Sequence, residues 1–183
     1  METNIYLVRH AHSTYTEDEF NRPLSKRGYI SAKELKNIFS KKSIDYVIAS
    51  PYKRAIETVQ GIADLNSKEI IIDERFKERI LAKSSIENFE EIIMQAWMDF
   101  DFHLPEGESG SDAQKRGVEA IKDIVEMYKG KNIVIGTHGN IMALIMNYYD
   151  KKYDYLFWKR LNMPDIYELS FEDKELISIN KIY

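Results

Sequence analysis

The amino-acid sequence predicts an α/β fold of three layers (α/β/α), in which helices cover both faces of a central sheet. Four short apolar runs are typical of buried strands, and helical periods separate them along the chain. This alternation predicts βαβ units and a mostly parallel sheet. Two further apolar runs near the end, separated by a short charged stretch, predict a closing hairpin and therefore an antiparallel edge. The four runs are residues 5–9, 46–50, 69–73 and 132–137, and the hairpin comprises residues 166–171 and 176–182.

Apolar residues recur at helical spacing between the predicted strands. The first helix follows Pro23-Leu24, and the second begins at Ser50-Pro51, where a serine cap precedes a proline suited to the first helical turn. Two more helices flank the fourth strand, so each of the four has one apolar face that can pack on the sheet. The residues of these faces are Ala32, Leu35 and Phe39; Ala55, Val59, Ile62 and Ala63; Val118, Ile121, Val125 and Tyr128; and Ile141, Leu144, Ile145 and Tyr148.

Residues 84–108 interrupt this alternation with a long, acidic and aromatic segment. Long insertions are frequently lids or binding loops, so we predict a helical flap over the carboxyl ends of the strands. The alternative is a surface helix whose aromatic side chains, among them Trp97 and Phe100, pack on the core. The predicted organisation is a single domain over residues 1–183 with a flap insertion at about 84–108.

The composition is that of a cysteine-free, slightly acidic protein. Its 183 residues suit one domain; 44% of them are hydrophobic, 31% are charged, and the net charge is −4. The negative charge disfavours nucleic-acid and acidic-membrane partners, and the lack of cysteine excludes disulfides and thiol catalysis. No run reaches the roughly 20 apolar residues of a membrane span, and residues 1–4 do not resemble a signal peptide. We therefore expect a cytoplasmic protein with neither a nucleic-acid nor a membrane partner.

Arginines and histidines follow the predicted strands at their carboxyl ends, where open α/β sheets bind ligands. Arg9 and His10 end the first run, His138 follows the fourth, and Arg54 lies in the first turns of the helix after the second. Guanidinium groups match phosphate oxygens bidentately, and helix N-termini, one of them at Gly139, add backbone donors. The sequence therefore predicts a phosphate pocket that contains two histidines.

Each of these residues alone has an ordinary structural explanation, and only the combination favours a functional site. A single histidine at a strand end is more often structural, and Arg54 by itself would be a solvated helix residue. His12 lies two residues from His10 and faces the same side of an extended chain, so it either lines the pocket mouth or is an exposed polar residue. His103, within the acidic segment, is expected at the surface.

Six short motifs occur in order between residues 5 and about 145. They are Arg9-His10-Ala11, Pro23-Leu24-Ser25-x-x-Gly28, Ser50-Pro51-x-x-Arg54-Ala55-x-x-Thr58, Phe76-Lys77-Glu78, Gly107-Glu108-Ser109 and Thr137-His138-Gly139. In combination they resemble the motifs of the histidine phosphatase superfamily, whose fold is phosphoglycerate mutase-like. The first motif is similar to its Arg-His-Gly signature, the third to its Ser-Pro-x-x-Arg-Ala-x-x-Thr element, and the fourth to its Leu-x-Glu element.

The resemblance implies catalytic roles for five residues. His10 would be the nucleophile that becomes phosphohistidine. Arg9, Arg54 and His138 would bind the transferred phosphoryl group, and Glu78 would donate a proton to the leaving oxygen. Phosphoryl transfer mainly needs positioning and charge neutralisation, which arginines supply, so neither a metal nor an organic cofactor is expected.

Further residues are expected around these five. Gly139, His12 and Thr16 would contact the substrate, with Thr16 standing where mutase-type members carry a phosphate-contacting asparagine. Glu74 is a second candidate for the proton donor, and Glu108 is a more remote one.

Several departures from the family pattern weaken a mutase-type interpretation. Ala11 replaces glycine, and His12 stands where mutase-type members show glutamate. Arg79 follows Glu78 directly, without the Gly-Trp-Glu-Gly run that is common there. Residues 79–109 carry seven carboxylates against two cations, which would repel a highly anionic bisphosphate if they faced the pocket.

The predicted function is therefore hydrolysis of a phosphomonoester through a phosphohistidine on His10. The close alternative is phosphoglycerate mutase-type transfer of the phosphoryl group. Two more distant alternatives are a metal-dependent phosphohydrolase that uses His10, His12 and His138, and a phospho-ligand-binding module without catalysis. The expected partner is a small phosphorylated metabolite or a phosphoprotein, and the expected assembly is a monomer or a homodimer.

Overall fold

The computed structural model describes residues 1–83 and 86–183, in which strands and helices alternate. The strands are β1 (Glu2–Arg9), β2 (Tyr46–Ala49), β3 (Ile70–Ile72), β4 (Asn132–Thr137), β5 (Asp165–Glu172) and β6 (Glu175–Lys181). The α-helices are α1 (Lys26–Phe39), α2 (Lys53–Leu65), α3 (Phe89–Met98), α4 (Gly110–Met127), α5 (Gly139–Tyr149) and α6 (Tyr155–Arg160), and a 3-10 turn spans Glu74–Phe76. No helix within these two ranges has the length and apolar character needed to cross a membrane.

The strands form one mixed sheet in the order β3-β2-β4-β1-β5-β6. β1 and β2 both run parallel to the central β4, and β3 runs parallel to β2. β5 is antiparallel to β1, and β6 is antiparallel to β5. The predicted parallel sheet with an antiparallel edge is therefore confirmed. Because β1, β2 and β4 are parallel neighbours, their carboxyl ends meet at one edge of the sheet.

Alternating side chains along the strands bury two cores, one on each face of the sheet. In β1, Ile5 and Leu7 belong to the core formed with α4 and α5, whereas Tyr6 and Val8 belong to the core formed with α1 and α2. Successive strand side chains point to opposite faces. An uninterrupted apolar strand therefore requires helices on both sides, which accounts for the three layers.

Some elements differ from the prediction. β1 begins at Glu2 rather than at residue 5, because it pairs with β5 along its whole length. α6 was not predicted, since six residues are too few to show a helical period; it begins after Asp154, whose side chain caps its first turn. Tyr148 was assigned to an apolar face but is 45% exposed, and its hydroxyl accepts a hydrogen bond from Lys122.

The segment at residues 84–108 combines the two structures considered for it, although its first two residues lie outside the described part. Among its described residues, 86–108, α-helix is confined to α3. Ile93 and Trp97 of this helix are buried in the core with α4 and α5, as in the surface-helix alternative. Phe89, at the other end of the helix, is 44% exposed and lines the cleft described below. One helix thus contributes to both the core and the cleft.

The connection from β1 to α1 depends on close packing at Gly28. A Cβ atom at Gly28 would clash with the backbone carbonyl oxygen of His12. We expect Gly28→Ala to lower the free energy of unfolding by about 1–3 kcal/mol, as overpacking does elsewhere. The matched control is Gly61→Ala in α2, where the nearest atom would be Lys36 Cβ at 4.0 Å. The Gly61→Ala substitution should raise the free energy of unfolding by about 0.5–1 kcal/mol. Urea unfolding measures both, and equal shifts would contradict the packing argument.

Candidate active site

A cleft of about 620 Å³, within the usual size range of ligand sites, opens at the carboxyl ends of β1, β2 and β4. Four of the residues predicted from the sequence line it: His10, His12, Arg54 and Glu78. His138, Arg9 and Gly139 follow or end the same strands: the His138 ring packs against that of His10, and the Arg9 guanidinium packs against Gly139. The topology therefore brings together the residues that the sequence predicted at the strand ends.

The backbone of His10 continues the β1–β4 pairing, since its N–H donates to the Thr137 carbonyl at 2.9 Å. Its side chain is only 8% exposed, at the base of the cleft. Nδ1 lies 2.8 Å from the Ala11 carbonyl oxygen. Because a carbonyl can only accept, Nδ1 carries the proton and Nε2 keeps its lone pair. Burial, assisted by the positive charge of Arg54, lowers the pKa of His10 to about 3, so the ring is neutral at pH 7.

His138 is fully buried, and its ring centroid is 5.2 Å from that of His10. Its Nε2 lies 2.7 Å from the Ser50 hydroxyl oxygen. Its Nδ1 is buried and has no hydrogen-bond partner among the described residues. Burial, with the neighbouring His10 and the arginines, holds the pKa of His138 well below its usual value. Both rings are therefore uncharged.

The Arg9 guanidinium is fixed by backbone carbonyls rather than by a carboxylate. Its Nη1 donates to the carbonyls of Leu161 at 2.6 Å and Asn162 at 3.3 Å. Its Nε is buried without a partner among the described residues. A Cβ at Gly139 would lie 2.8 Å from Nε, so the guanidinium can pack there only against glycine. Burial lowers the pKa of Arg9, and the charge of Glu78 opposes that shift.

Arg54 lies in the first turn of α2, beside the cleft. Its Nη1 donates to the Glu19 carbonyl at 2.8 Å and lies 3.1 Å from the carboxylate of the same residue. One turn later, Thr58 donates to the Arg54 carbonyl at 2.6 Å and accepts from the Ala11 N–H at 3.0 Å. The threonine of the third motif thus fixes the chain next to His10, which explains why the two motifs occur together.

Glu78 follows the 3-10 turn and places its carboxylate at the N-terminus of α5. One oxygen accepts from the backbone N–H groups of Arg79 and Ile141, and the other accepts from that of Asn140, each at 3.0 Å. The positive end of the helix dipole favours an anion in this position. The carboxylate is therefore held rigidly at the wall of the cleft.

The other two candidate acids lie elsewhere. Glu74 is exposed, and the Glu108 carboxylate accepts two hydrogen bonds from Arg116, at 2.6 and 2.8 Å. Neither is among the described residues that line the cleft, and the same is true of all seven carboxylates in residues 79–109. Those seven charges therefore provide no argument against an anionic ligand.

The remaining predicted residues differ in their placement. His12 lines the cleft, with Nδ1 2.8 Å from the Ser25 hydroxyl oxygen. Thr16 is not among the described residues that line the cleft, and its hydroxyl donates to the Asp18 carbonyl at 3.0 Å. The turn around residue 18 draws this hydroxyl into a local hydrogen bond. His103 is exposed, as expected.

Two further arginines, which the sequence did not predict as site residues, also line the cleft. Arg22 forms an ion pair with Glu19 at 2.5 Å. Arg79 is 5% exposed and donates from Nε to the Glu108 carbonyl at 2.9 Å and from Nη2 to the Phe102 carbonyl at 3.2 Å. The position of Arg79 directly after the candidate acid is a feature of the sequence that could have identified it as a site residue. Arg22 lies in an irregular loop, where the sequence contains no such feature.

The cleft attracts anions. Arg22, Arg54 and Arg79 line it, against the two carboxylates of Glu19 and Glu78, and Arg9 directly precedes His10 at the end of β1. This charge distribution favours a phosphorylated ligand and repels a metal cation. Within residues 1–83 and 86–183, no three His, Asp or Glu side chains form a group that could hold a metal ion.

The buried, neutral His10 makes stability depend on pH. In the unfolded chain a histidine has a pKa near 6.5, so below that value the unfolded state binds a proton that the native His10, with a pKa of about 3, does not. Stability must therefore fall with decreasing pH, by about 1.4 kcal/mol per unit for this residue. We expect the free energy of unfolding of His10→Asn, measured by urea unfolding, to decrease less steeply between pH 6 and 4 than that of the wild-type protein. Parallel curves for the two proteins would mean that native His10 titrates normally.

Comparison with known proteins identifies the family of the chain. The family model for the histidine phosphatase superfamily (branch 1) matches residues 5–179. A putative phosphoserine phosphatase 2 of Hydrogenobacter thermophilus is 28% identical over 156 residues, covering 78% of this chain and 76% of that protein. A probable phosphoglycerate mutase of Serratia proteamaculans is also 28% identical over 156 residues, covering 78% of this chain and 73% of that protein.

Solved structures share the fold at low sequence identity. A mycobacterial glucosyl-3-phosphoglycerate phosphatase superposes with a TM-score of 0.80 at 17% identity, over 99% of this chain and 97% of that one. A phosphoserine phosphatase mutant from Entamoeba histolytica, in complex with phosphoserine, gives 0.77 at 20% identity over 98% of each chain. The phosphoglycerate mutase-like fold is thereby confirmed. Since the family model covers nearly the whole chain, this protein is a phosphomonoesterase or mutase-like enzyme of the histidine phosphatase superfamily.

Proposed function

We propose that the protein hydrolyses phosphomonoesters through a phosphohistidine formed on His10. The state of the His10 ring carries this proposal. The ring is neutral, its Nδ1 proton is engaged by the Ala11 carbonyl, and Nε2 is left with a lone pair at the base of an arginine-rich cleft. A neutral imidazole nitrogen is a nucleophile, and a covalent intermediate divides one difficult displacement into two easier ones.

The two steps balance without a further reactant except water. In the first, His10 Nε2 forms a bond to phosphorus as the ester P–O bond breaks, and the leaving oxygen takes a proton from Glu78. In the second, water attacks the phosphorus, Glu78 takes a proton from it, and the P–N bond breaks to release inorganic phosphate. His10 and Glu78 are then restored to their starting states.

Three side chains supply the donors and the charge for the phosphoryl group. Arg9 Nε and His138 Nδ1 are buried and lack partners among the described residues, and a phosphoryl oxygen would satisfy such donors. If the Ser50 hydroxyl donates to His138 Nε2, the His138 proton lies on Nδ1, where it can be donated. Arg54 adds a cation. Donors fixed in advance stabilise the transition state because they need no reorganisation.

Glu78 is the proton donor that the geometry favours. Its three backbone hydrogen bonds hold the carboxylate at the cleft wall before substrate arrives. The same N–H groups stabilise the carboxylate anion that remains after its proton has passed to the leaving oxygen.

The substrate is proposed to be a small phosphorylated metabolite, because similar proteins are named as phosphatases of phosphoserine and of glucosyl-3-phosphoglycerate. The mutase-named relatives favour a second candidate, in which the phosphoryl group passes from His10 to a second alcohol instead of water. Both reactions share the first step. Release of inorganic phosphate in proportion to substrate consumed identifies hydrolysis.

We expect His10→Ala to abolish both turnover and formation of the phosphoenzyme while leaving the protein folded. Intact mass measured without acid, after mixing with excess substrate, should show one added phosphoryl group on the wild-type protein and none on the variant. The control is His103→Ala, which changes an exposed histidine outside the cleft lining. A variant that retained near-wild-type activity would exclude the mechanism, and activity lost to a chelator and restored by zinc would favour the metal-dependent alternative.

We expect Glu78→Gln to slow alkyl phosphates by about 10²–10⁴-fold and an activated aryl phosphate much less, because good leaving groups need no proton. Steady-state rates for the two substrate types measure the difference. Loss of the backbone hydrogen bonds alone would slow both types equally, and that result would assign Glu78 a structural role. Glu108→Gln is the matched control, because that carboxylate is paired with Arg116 away from the cleft lining.

A further inference from the structure

We infer that the leaving-group side of the cleft binds an apolar alcohol, so that the preferred substrates are phosphomonoesters of alkyl or aryl alcohols rather than polyanionic metabolites. This inference rests on the proposed function, because it concerns the group that leaves when His10 takes the phosphoryl group. It is carried by the side chains that form the outer wall of the cleft.

The outer wall is apolar and exposed. Ile80, Phe89 and Met163 line the cleft although they are 40%, 44% and 43% exposed, and Leu81 and Ile86 extend the same surface. They come from two segments of the chain far apart in sequence. Single exposed apolar residues need no explanation, but a group of them beside a polar site indicates a binding surface.

The wall adjoins the proposed proton donor. Ile80 is two residues after Glu78, and both line the cleft. The leaving oxygen must lie within hydrogen-bond reach of the acid, so the group attached to that oxygen extends toward this wall. A cleft of about 620 Å³ also exceeds the space that a phosphoryl group fills. Room therefore remains for a leaving group of several carbon atoms.

The charges of the cleft fit one phosphoryl group without a second anion. Arg22 and Arg54 share the carboxylate of Glu19, and Arg79 has backbone carbonyls on two of its three nitrogens. The three arginines and two carboxylates that line the cleft leave one positive charge in the free cleft, which a phosphate ester with about −1.5 to −2 charge more than neutralises. A substrate with an additional carboxylate or phosphate would place that charge against Ile80 and Phe89, at a desolvation cost.

A series of linear alkyl phosphates, from ethyl to hexyl, tests the wall directly. The leaving alcohols differ little in acidity, so the chemical step is nearly constant and only the apolar surface changes. We expect kcat/KM to rise roughly three- to fourfold for each added methylene until the wall is covered. Hexyl phosphate should also exceed phosphoserine and 3-phosphoglycerate. A flat series, or a preference of about tenfold or more for the carboxylate-bearing esters, would overturn the inference.

Variants then locate the effect. Phe89→Ala and Ile80→Ala should each flatten the series, lowering kcat/KM for hexyl phosphate by about tenfold more than for ethyl phosphate. Met98→Ala is the control, because Met98 is 82% exposed on the same helix as Phe89 but outside the cleft lining. If Met98→Ala flattened the series, or if Phe89→Ala and Ile80→Ala did not, the inferred binding role of the wall would be wrong.

The His10→Ala variant separates this inference from the proposed function. If His10→Ala stops all turnover while the wild-type series is flat, only the substrate inference fails. If turnover persists in His10→Ala, the proposed function fails.

Discussion

The pairing of β1 and β2 with the central strand β4 is the constraint on which the active site depends. The ladder continues past the strand ends, where His10 N–H donates to the Thr137 carbonyl at 2.9 Å and Ser50 N–H donates to the Gly136 carbonyl at 2.8 Å. These two bonds fix the first residue after each strand in register with β4. Residues far apart in the chain thereby reach a common site, and a slip of one residue would turn their side chains to the other face.

Burial then determines the chemistry of these residues. Imidazole rings at the base of the cleft are shielded from water and surrounded by guanidinium groups, which disfavours their protonation. The arginines keep their charge because backbone carbonyls and Glu19 accept their hydrogen bonds. A neutral nucleophile beside fixed cations suits an attack on an anionic phosphate ester. The same burial lowers the free energy of unfolding at low pH, because the histidines can bind protons once the protein unfolds.

The sequence predicted the sheet and the base of the site because both follow from continuous apolar runs and from what comes directly after them. It could not predict Arg22, whose place in the cleft depends on the path of an irregular loop, nor the local hydrogen bond that takes the Thr16 hydroxyl to Asp18. A motif singled out Glu78 and left Glu74 and Glu108 as alternatives. The positions of these carboxylates depend on tertiary contacts: α5 binds Glu78 through its N-terminal amides, whereas Arg116 binds Glu108. Such contacts between distant segments leave no periodic pattern.

The base and the wall of the cleft differ in how they are built, and this difference separates chemistry from specificity. The base is formed by strand ends and helix N-termini whose backbone hydrogen bonds leave little freedom. The wall is formed by Ile80, Phe89 and Met163, on segments where a side chain can change without disturbing the sheet. Relatives named for different phosphate esters share the fold at 17–20% identity, so the fold alone does not determine the substrate. The apolar wall is therefore the part of this molecule from which its own substrate can be inferred.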